Sequence, residues 1–548
     1  MSAYDVCIIG AGLTGLLVAR KFIESGKRVL LVERGGEYLP EMEDRNGWWR
    51  EETVSEVPTP DGRILTRNTF DGAEELFPDL AACDTRNAPW NFQYNMWRGV
   101  GGSGQMWSGM AWRLAPHDFR LHDTFGTGRN WPISYEDISP YYDRAEALLE
   151  VSGPGADVAE TYRYWPWKNN YAYPPFRLSY LDTSFQASIG EIGEIVMQPH
   201  AVRNRPASEG GCVGAKTCVS FCPTGAIFKS RDRLFDDIAM DDNLEIMVET
   251  CCLSLDWDEG SGRITGAILR ERGSEEEIPV EADLFFLCAN ALENILLIRR
   301  SEVRTGKVFG KTSPQVGRRF SSHGAFTYSV LTDQPVFPVR GRPTHGSVIE
   351  WVDRTPEERR NGVTMEVWQS DFLRGYHPRE HLEKDIAAGH WGVTLFRRMA
   401  EYERRFAISF VFETEMSDIT GVSLSPDYTD AYGMPLPLVK VSLGENDENT
   451  ISFIRRKVAE IAESPGIARL EQIGCGLNGN HPLGGLTMSD SAETGVVDRY
   501  GRSHDFSNLY ITGGGAFCST GSFNPTLTIT ALALMTLDDP RLGLVSEP

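Results

Sequence analysis

The apolar pattern changes period twice before residue 33. Val6 to Ile9 is a continuous apolar run, which predicts a strand buried on both faces. Leu13 to Ile23 then carries helix formers, and Val29 to Val32 is a second apolar strand ending at Glu33. Between the first strand and the helix, Gly10, Gly12 and Gly15 fall in G-x-G-x-x-G spacing. Strand, tight turn, helix, strand and acid are therefore in register, the opening unit of a dinucleotide-binding α/β fold. Gly10 allows the tight turn, Gly12 lets the backbone approach a pyrophosphate, and Gly15 lets the helix pack on the strand. The helix N-terminus faces the phosphates, and the Glu33 carboxylate is placed to accept ribose hydroxyls.

Further along, the pattern is less regular. Residues 39–95 are polar with scattered Pro, Gly and charge, and read as an irregular excursion. Trp97 to Gly104 holds four glycines in six residues and leads into Met106–Arg113, which reads as buried. Such a run suits a backbone wall against a flat cofactor ring. Ser134 caps one helical turn, and Ser139 with Pro140 starts a second helix. The Tyr-, Trp- and Pro-rich stretch 161–176 reads as an ordered loop covering a surface or a partner. Leu244–Leu255 and Gly266–Ile268 read as successive strands. Ala282–Asn294 repeats strand, turn and helix, which returns the chain to the nucleotide-binding unit. Residues 300–475 mix both periods without repeats and form the candidate second domain. Within them His323 ends a turn signal and reads as structural. Leu509–Thr512 is a short strand leading to three glycines, Gly513 to Gly515. Pro525 then stands at a first helical position, so a second helix N-terminus is directed at the cofactor. The expected nucleotide-binding domain comprises 1–40, 95–150, 200–300 and 480–548. The remaining segments 41–94, 151–199 and 301–479 are excursions and the second domain.

Size and charge narrow the possibilities. A chain of 548 residues exceeds one compact core. The net charge of −23 argues against nucleic acid or an anionic membrane surface as partner. No apolar run approaches the ~18–20 residues of a membrane span. No basic stretch with a cleavage site precedes the first strand, so the expected compartment is the cytoplasm by default, or the periplasm by co-export with a helper subunit. The ten cysteines do not form a disulfide framework. Cys212, Cys218 and Cys222 stand apart, spaced C-x5-C-x3-C-P like the end of a ferredoxin-type run. Three thiolates can hold a three-iron cluster; a four-iron or zinc site needs a fourth ligand that this stretch does not supply. The alternative is a trio of structural thiols.

Together these stretches resemble the glucose–methanol–choline (GMC) family of flavin oxidoreductases, from Tyr4 to about Leu534. More narrowly they resemble the catalytic subunits of bacterial FAD-dependent sugar dehydrogenases. That match rests on Gly101-Gly102 followed by Trp107 and Ala111 to Arg113, on Trp131 to Tyr142, and on the cysteine trio. The resemblance implies a Rossmann-type FAD-binding domain joined to a substrate domain on a mostly antiparallel sheet. It implies that Gly10, Gly12, Gly15 and Glu33 hold the ADP half of FAD. Gly101, Gly102 and Ser103 would line the pyrophosphate and isoalloxazine, and Cys252 would lie on the adenine-side strand. Gly515, Asn524, Pro525 and Thr526 would complete the cofactor-binding set at the flavin's pyrimidine edge. His481 would be the catalytic base and Asn524 its partner. Cys212, Cys218 and Cys222 would hold a [3Fe-4S] cluster. The loop from Ser103 to Trp107 lacks the histidine that some members use for covalent attachment, so non-covalent FAD is expected. The implied substrate is a sugar or polyol, and the implied partners are a small helper subunit and a haem c electron-acceptor subunit. A flavin oxidase using dioxygen, with structural cysteines, is the rival reading.

Overall fold

In the computed structural model the described residues are 4–36, 52–58, 64–70, 81–84, 92, 96–154, 165, 171–214, 218, 222–338, 341–342, 344–369, 382, 385–430 and 432–544. The apolar runs form a five-stranded parallel sheet. Its order is Leu509–Ile511, Ala282–Leu287, Tyr4–Ile9, Val29–Val32 and Leu244–Met247. Val6 is paired with Leu284 on one side and Val29 on the other, which explains why this strand is apolar throughout. Helix Leu13–Glu24 follows the first strand, and helix Ala291–Thr305 follows its neighbour, as their strand–turn–helix patterns predict. The C-terminal helix Thr526–Leu537 is largely apolar, with threonine as its only polar residue type, because it is buried against helix Tyr135–Leu148. Tyr142 and Thr528 join the two helices by a 2.8 Å hydrogen bond.

A six-stranded antiparallel sheet carries the other half of the architecture. Its order is Ile467–Leu477, Gly324–Thr332, Arg405–Phe412, Val363–Trp368, Thr344–Val348 and Ile195–Met197. Parallel and antiparallel sheets with covering helices make the mixed α/β architecture expected from the sequence.

Two expectations need correction. Residues 39–95 are not wholly irregular: Glu52–Pro58, Ile64–Phe70 and Ala81–Asp84 are strands of a further sheet with Pro435–Lys440 and Gly421–Thr429. Their pairing comes partly from strands more than 300 positions away, which a local pattern cannot register. The two expected helices at 134–148 are one helix, Tyr135–Leu148, with Pro140 inside it. Ser134 caps it, and the buried Arg113–Glu146 ion pair and Tyr142 hold the segment across the proline. Most of 161–176 lies outside the described residues. Of those described, Trp165 stacks on Trp112 at 5.6 Å, and the Phe176 ring lies 3.6 Å beneath the Arg342 guanidinium. These aromatics cover the chain's own surface.

Candidate active site

Both glycine runs sit at the carboxyl ends of parallel strands, where ligands bind in open α/β sheets. They also touch one another. Gly12 and Gly101 form an isolated parallel bridge, and Gly101 N–H donates to the Ala11 carbonyl at 2.8 Å. A Cβ at Gly102 would stand 2.8 Å from Gly12 Cα, so this approach requires glycine. Gly10 has φ +103°, and a Cβ there would meet the Ala289 nitrogen at 2.7 Å. A Cβ at Gly15 would lie 1.9 Å from the Gly10 oxygen, which is the helix packing on its strand. Gly12 differs, because the nearest atom to a Cβ there is Gly102 Cα at 3.9 Å. The helix beginning at Leu13 has neither a side-chain cap nor an acid in its first turn. An open glycine beside uncapped amides fits a pyrophosphate.

Glu33 ends its strand as expected, but its carboxylate turns inward. One oxygen accepts the Ala11 amide at 2.9 Å, and the other accepts Gly35 and Gly99 at 2.8 and 3.0 Å. Glu33 thus ties the first glycine turn to the second glycine run. A carboxylate has about four acceptor positions, so one remains for a ribose hydroxyl. Ser103 also makes a bond within the protein. Its Oγ accepts Trp97 N–H at 3.1 Å, holding its own loop closed. Cys252 is buried in the strand Thr250–Asp258, with its thiol directed to the Ser254 carbonyl. Burial pushes that thiol well above its ordinary range, with Cys7 alongside adding to the effect. Its side chain is therefore a core group, leaving only its backbone for a nucleotide.

The C-terminal run crosses from one sheet to the other. Gly515 is buried, and its carbonyl accepts Leu486 N–H at 3.0 Å. Thr520 and Ser522 are then anchored on the antiparallel sheet: Thr414 N–H donates to Thr520 Oγ1 at 3.0 Å, and Thr364 Oγ1 donates to the Ser522 carbonyl at 3.3 Å. Helix Thr526–Leu537 begins just beyond, with Pro525 one position before it and no side-chain cap.

The strand pairing Gly324 with Leu477 brings His323 beside the turn Asn478–His481. Asn478 N–H donates to the His323 carbonyl at 2.8 Å, and His481 N–H to the Asn478 carbonyl at 3.0 Å. The two imidazoles meet at 2.8 Å between their Nδ1 atoms, with rings nearly perpendicular. His323 Nε2 lies 3.0 Å from each of the Thr520 and Gly521 carbonyls. Burial pushes His323 down to about 4 and His481 well below the ordinary histidine value, so both rings are neutral at pH 7.

Asn524 is half-buried and hydrogen-bonded to Glu366 on the strand Val363–Trp368. Trp368 Nε1 donates to the same carboxyl at 3.0 Å. Burial pushes Glu366 up to about 7. His323 and Glu366 were not singled out as site residues from the sequence. A lone acid inside the apolar run Val363–Trp368 was a usable signal for Glu366, since unpaired charge is rarely buried. For His323 no local signal exists, because its partner is 158 positions away.

The cysteine trio converges on one small apolar cluster with Val202, Ala226 and Ile227. Burial pushes Cys218 up to about 12. Burial would raise Cys222 too, but amides of Ile227, Thr224 and Ala226 aimed at its sulfur outweigh that and lower it. Among the described residues no group of three or more His, Cys, Asp or Glu is arranged to hold a metal ion.

A glycine-built nucleotide cleft joined to a neutral imidazole and an oriented amide suits a flavin-dependent oxidoreductase. Residues 417–533 match the family model described as GMC oxidoreductase. The chain is 27% identical over 551 residues to the fructose dehydrogenase large subunit of Gluconobacter japonicus, with 97% of each chain covered. It is 21% identical over 598 residues to the gluconate 2-dehydrogenase flavoprotein of Pantoea cypripedii, covering 99% of this chain and 94% of that one. Its fold matches pyridoxine 4-oxidase from Mesorbium loti with a TM-score of 0.61 at 14% identity, over 97% of this chain and 98% of the other. Residues 417–533 thus carry the GMC oxidoreductase pattern, the chain as a whole resembles members of that family, and it is an FAD-dependent oxidoreductase acting on CH–OH groups.

Proposed function

We propose that the chain is a dehydrogenase that oxidises a hydroxyl of a sugar, sugar derivative or polyol to a carbonyl or lactone. In this reading a [3Fe-4S] cluster would carry the electrons to an external acceptor. The observation that carries the reading is a neutral, partly buried His481 linked through His323 to the turn that bears Asn524. Gly10, Gly12, Gly15 and Glu33 would hold the ADP half of FAD, with the backbone of Gly101 and Gly102 along it. Gly515, Pro525 and Thr526 would flank the ring. When bound, FAD supplies the hydride acceptor. His481 takes the hydroxyl proton, and Asn524 holds the substrate oxygen, with Glu366 fixing the orientation of its amide. General-base assistance of this kind is worth ~10²–10⁴-fold.

Cys212, Cys218 and Cys222 would hold the cluster, which supplies one-electron transfer. Their shared apolar cluster and the amides directed at Cys222 support this assignment, since hydrogen bonds to sulfur tune such centres. The likeness to a dehydrogenase large subunit supports a multi-subunit assembly, in which the proposed partners are a helper and a haem c acceptor subunit. The test is a panel of sugars, sugar acids and polyols scored by anaerobic bleaching of the flavin, with iron and labile sulfide measured on the same protein. Bleaching by one panel member, iron near three per chain and turnover with artificial acceptors support the reading. Iron-free protein that consumes dioxygen would make it an oxidase with structural cysteines.

A further inference from the structure

We propose that His323 is a positioning residue that locks His481 in the Nδ1–H tautomer and so leaves Nε2 as the proton acceptor. The inference rests on the reading of His481 as base and adds which atom acts and what makes it act. His323 is fully buried, and its Nε2 faces two backbone carbonyls at 3.0 Å. Carbonyls only accept, so Nε2 carries a hydrogen. A neutral imidazole has one N–H, which makes His323 Nδ1 a bare lone pair. That lone pair lies 2.8 Å from His481 Nδ1. Two lone pairs do not face each other at that distance, so His481 Nδ1 carries the hydrogen and donates it. The other polar neighbour, Asn478 Nδ2, is 3.4 Å from the same atom, too long to compete. Asn478 cannot reverse its amide cheaply, because its Oδ1 accepts Asn480 N–H at 3.0 Å. The neutral His481 ring therefore presents Nε2 without a hydrogen.

The arrangement also fits the charge that develops. As the substrate O–H bond breaks, an Nε2–H bond forms on His481, and the hydride leaves the carbon with its electron pair for the flavin. His481 is then cationic, and its Nδ1–H bond to His323 becomes charge-assisted and stronger. The carbonyls of Thr520 and Gly521 polarise the His323 ring in the same sense. His323 thus takes the orienting part that a carboxylate takes in other base pairs, without placing a buried negative charge beside the flavin cleft.

The test labels the ten histidines of the holoenzyme with ¹⁵N and assigns His481 by its disappearance in His481→Gln. Wild type should show His481 Nδ1 in the protonated range and Nε2 in the bare range. His323→Phe should abolish that pattern and slow anaerobic flavin reduction by the panel's best substrate ~10²-fold. His323→Gln, whose amide can donate to the carbonyls and accept from His481, should restore both signals. Retained flavin absorbance identifies folded variants; if the Phe form does not fold, wild type and the Gln form decide. A protonated Nε2 in wild type, or a folded Phe variant with unchanged pattern and rate, overturns the proposal. Separately, His481→Ala within threefold of the wild-type reduction rate would overturn the base assignment itself.

Discussion

Asn524 and Glu366 are hydrogen-bonded to one another, one from the C-terminal glycine-rich run and the other from the middle of the antiparallel sheet. Trp368 Nε1 donates to the same carboxyl, so Glu366 in its ionised form satisfies two donors. That directs one amide N–H of Asn524 away from the substrate and leaves its other hydrogen and its oxygen for the site.

Glu366 makes this relationship pH-dependent. Burial raises it from 4.5 to about 7. A raised carboxyl stabilises the fold below the unfolded value and loses that contribution as pH rises through about 7. The shift corresponds to roughly 3 kcal/mol. Glu366→Gln should therefore gain melting temperature relative to wild type at pH 8 but not at pH 4.5. It should also remove a limb near pH 7 from the kcat/KM profile, because the ionised form orients Asn524. Parallel melting curves of wild type and variant across this range would contradict the assignment.

Gly12 and Gly15 separate cofactor binding from folding. A Cβ at Gly12 meets nothing closer than 3.9 Å, whereas one at Gly15 would lie 1.9 Å from a backbone oxygen. Gly12→Ala should keep the melting temperature of the apo-protein and weaken FAD at least tenfold, by about 1.4 kcal/mol or more. Gly15→Ala should lower the apo-protein's stability by several kcal/mol, as overpacking against rigid backbone does. Flavin titration and apo-protein melting, run on both variants, distinguish the two effects.

Glu33→Gln tests the inward-turned carboxylate. Its oxygens accept three backbone amides from two glycine runs. Glutamine offers one oxygen and places an NH₂ against at least one of those amides. Bonds to a charged acceptor contribute about 1.5–3 kcal/mol each, so a loss of that order is expected. The expected readout is faster FAD release on dilution together with a lower melting temperature. Loss of flavin affinity with an unchanged apo-protein would mean that Glu33 serves the ribose alone.

These residues also show what was legible in the chain. The strand, glycine turn, helix and strand from Tyr4 to Val32 could be read because apolar runs, glycine spacing and helical period are local signals, even though Val6 pairs with the distant Leu284. The reading of Ser134 as a cap succeeded for the same reason. Pro140 misled, because the packing of Tyr142 and Glu146 outweighs one missing helix bond. The strands between 52 and 84 were missed because their sequence is polar and the sheet is completed by Pro435–Lys440, more than 300 positions away. His481 was singled out by the resemblance, but what orients it arrives on a strand end far away in sequence. An acid at 366 within an apolar strand was the overlooked clue.

Lys229 joins the cysteine loop to the glycine loop and sets the last expectation. Its buried ammonium donates to the Cys218 carbonyl at 2.7 Å and to the Gln105 carbonyl. Gln105 ends the short turn Gly102–Gln105, and its side-chain oxygen accepts Arg231 N–H at 3.0 Å. Burial lowers Lys229 to about 8, while the Cys218 and Cys222 sulfurs oppose that shift. Thiolates, as metal ligation requires, would hold the ammonium charged. On the proposed electron route, Cys218→Ser should lose iron and acceptor turnover while substrate still bleaches the flavin once. Lys229→Met should keep that single bleaching but lower the iron content and slow reoxidation by an artificial acceptor, because the two loops lose their strut. Lys229→Arg, which keeps a charge and donors but not the compact ammonium, should fall between them. Iron content, single-turnover bleaching and reoxidation rate measured on the three variants would decide it: equal reoxidation in wild type and Lys229→Met means that Lys229 only fills space between the loops.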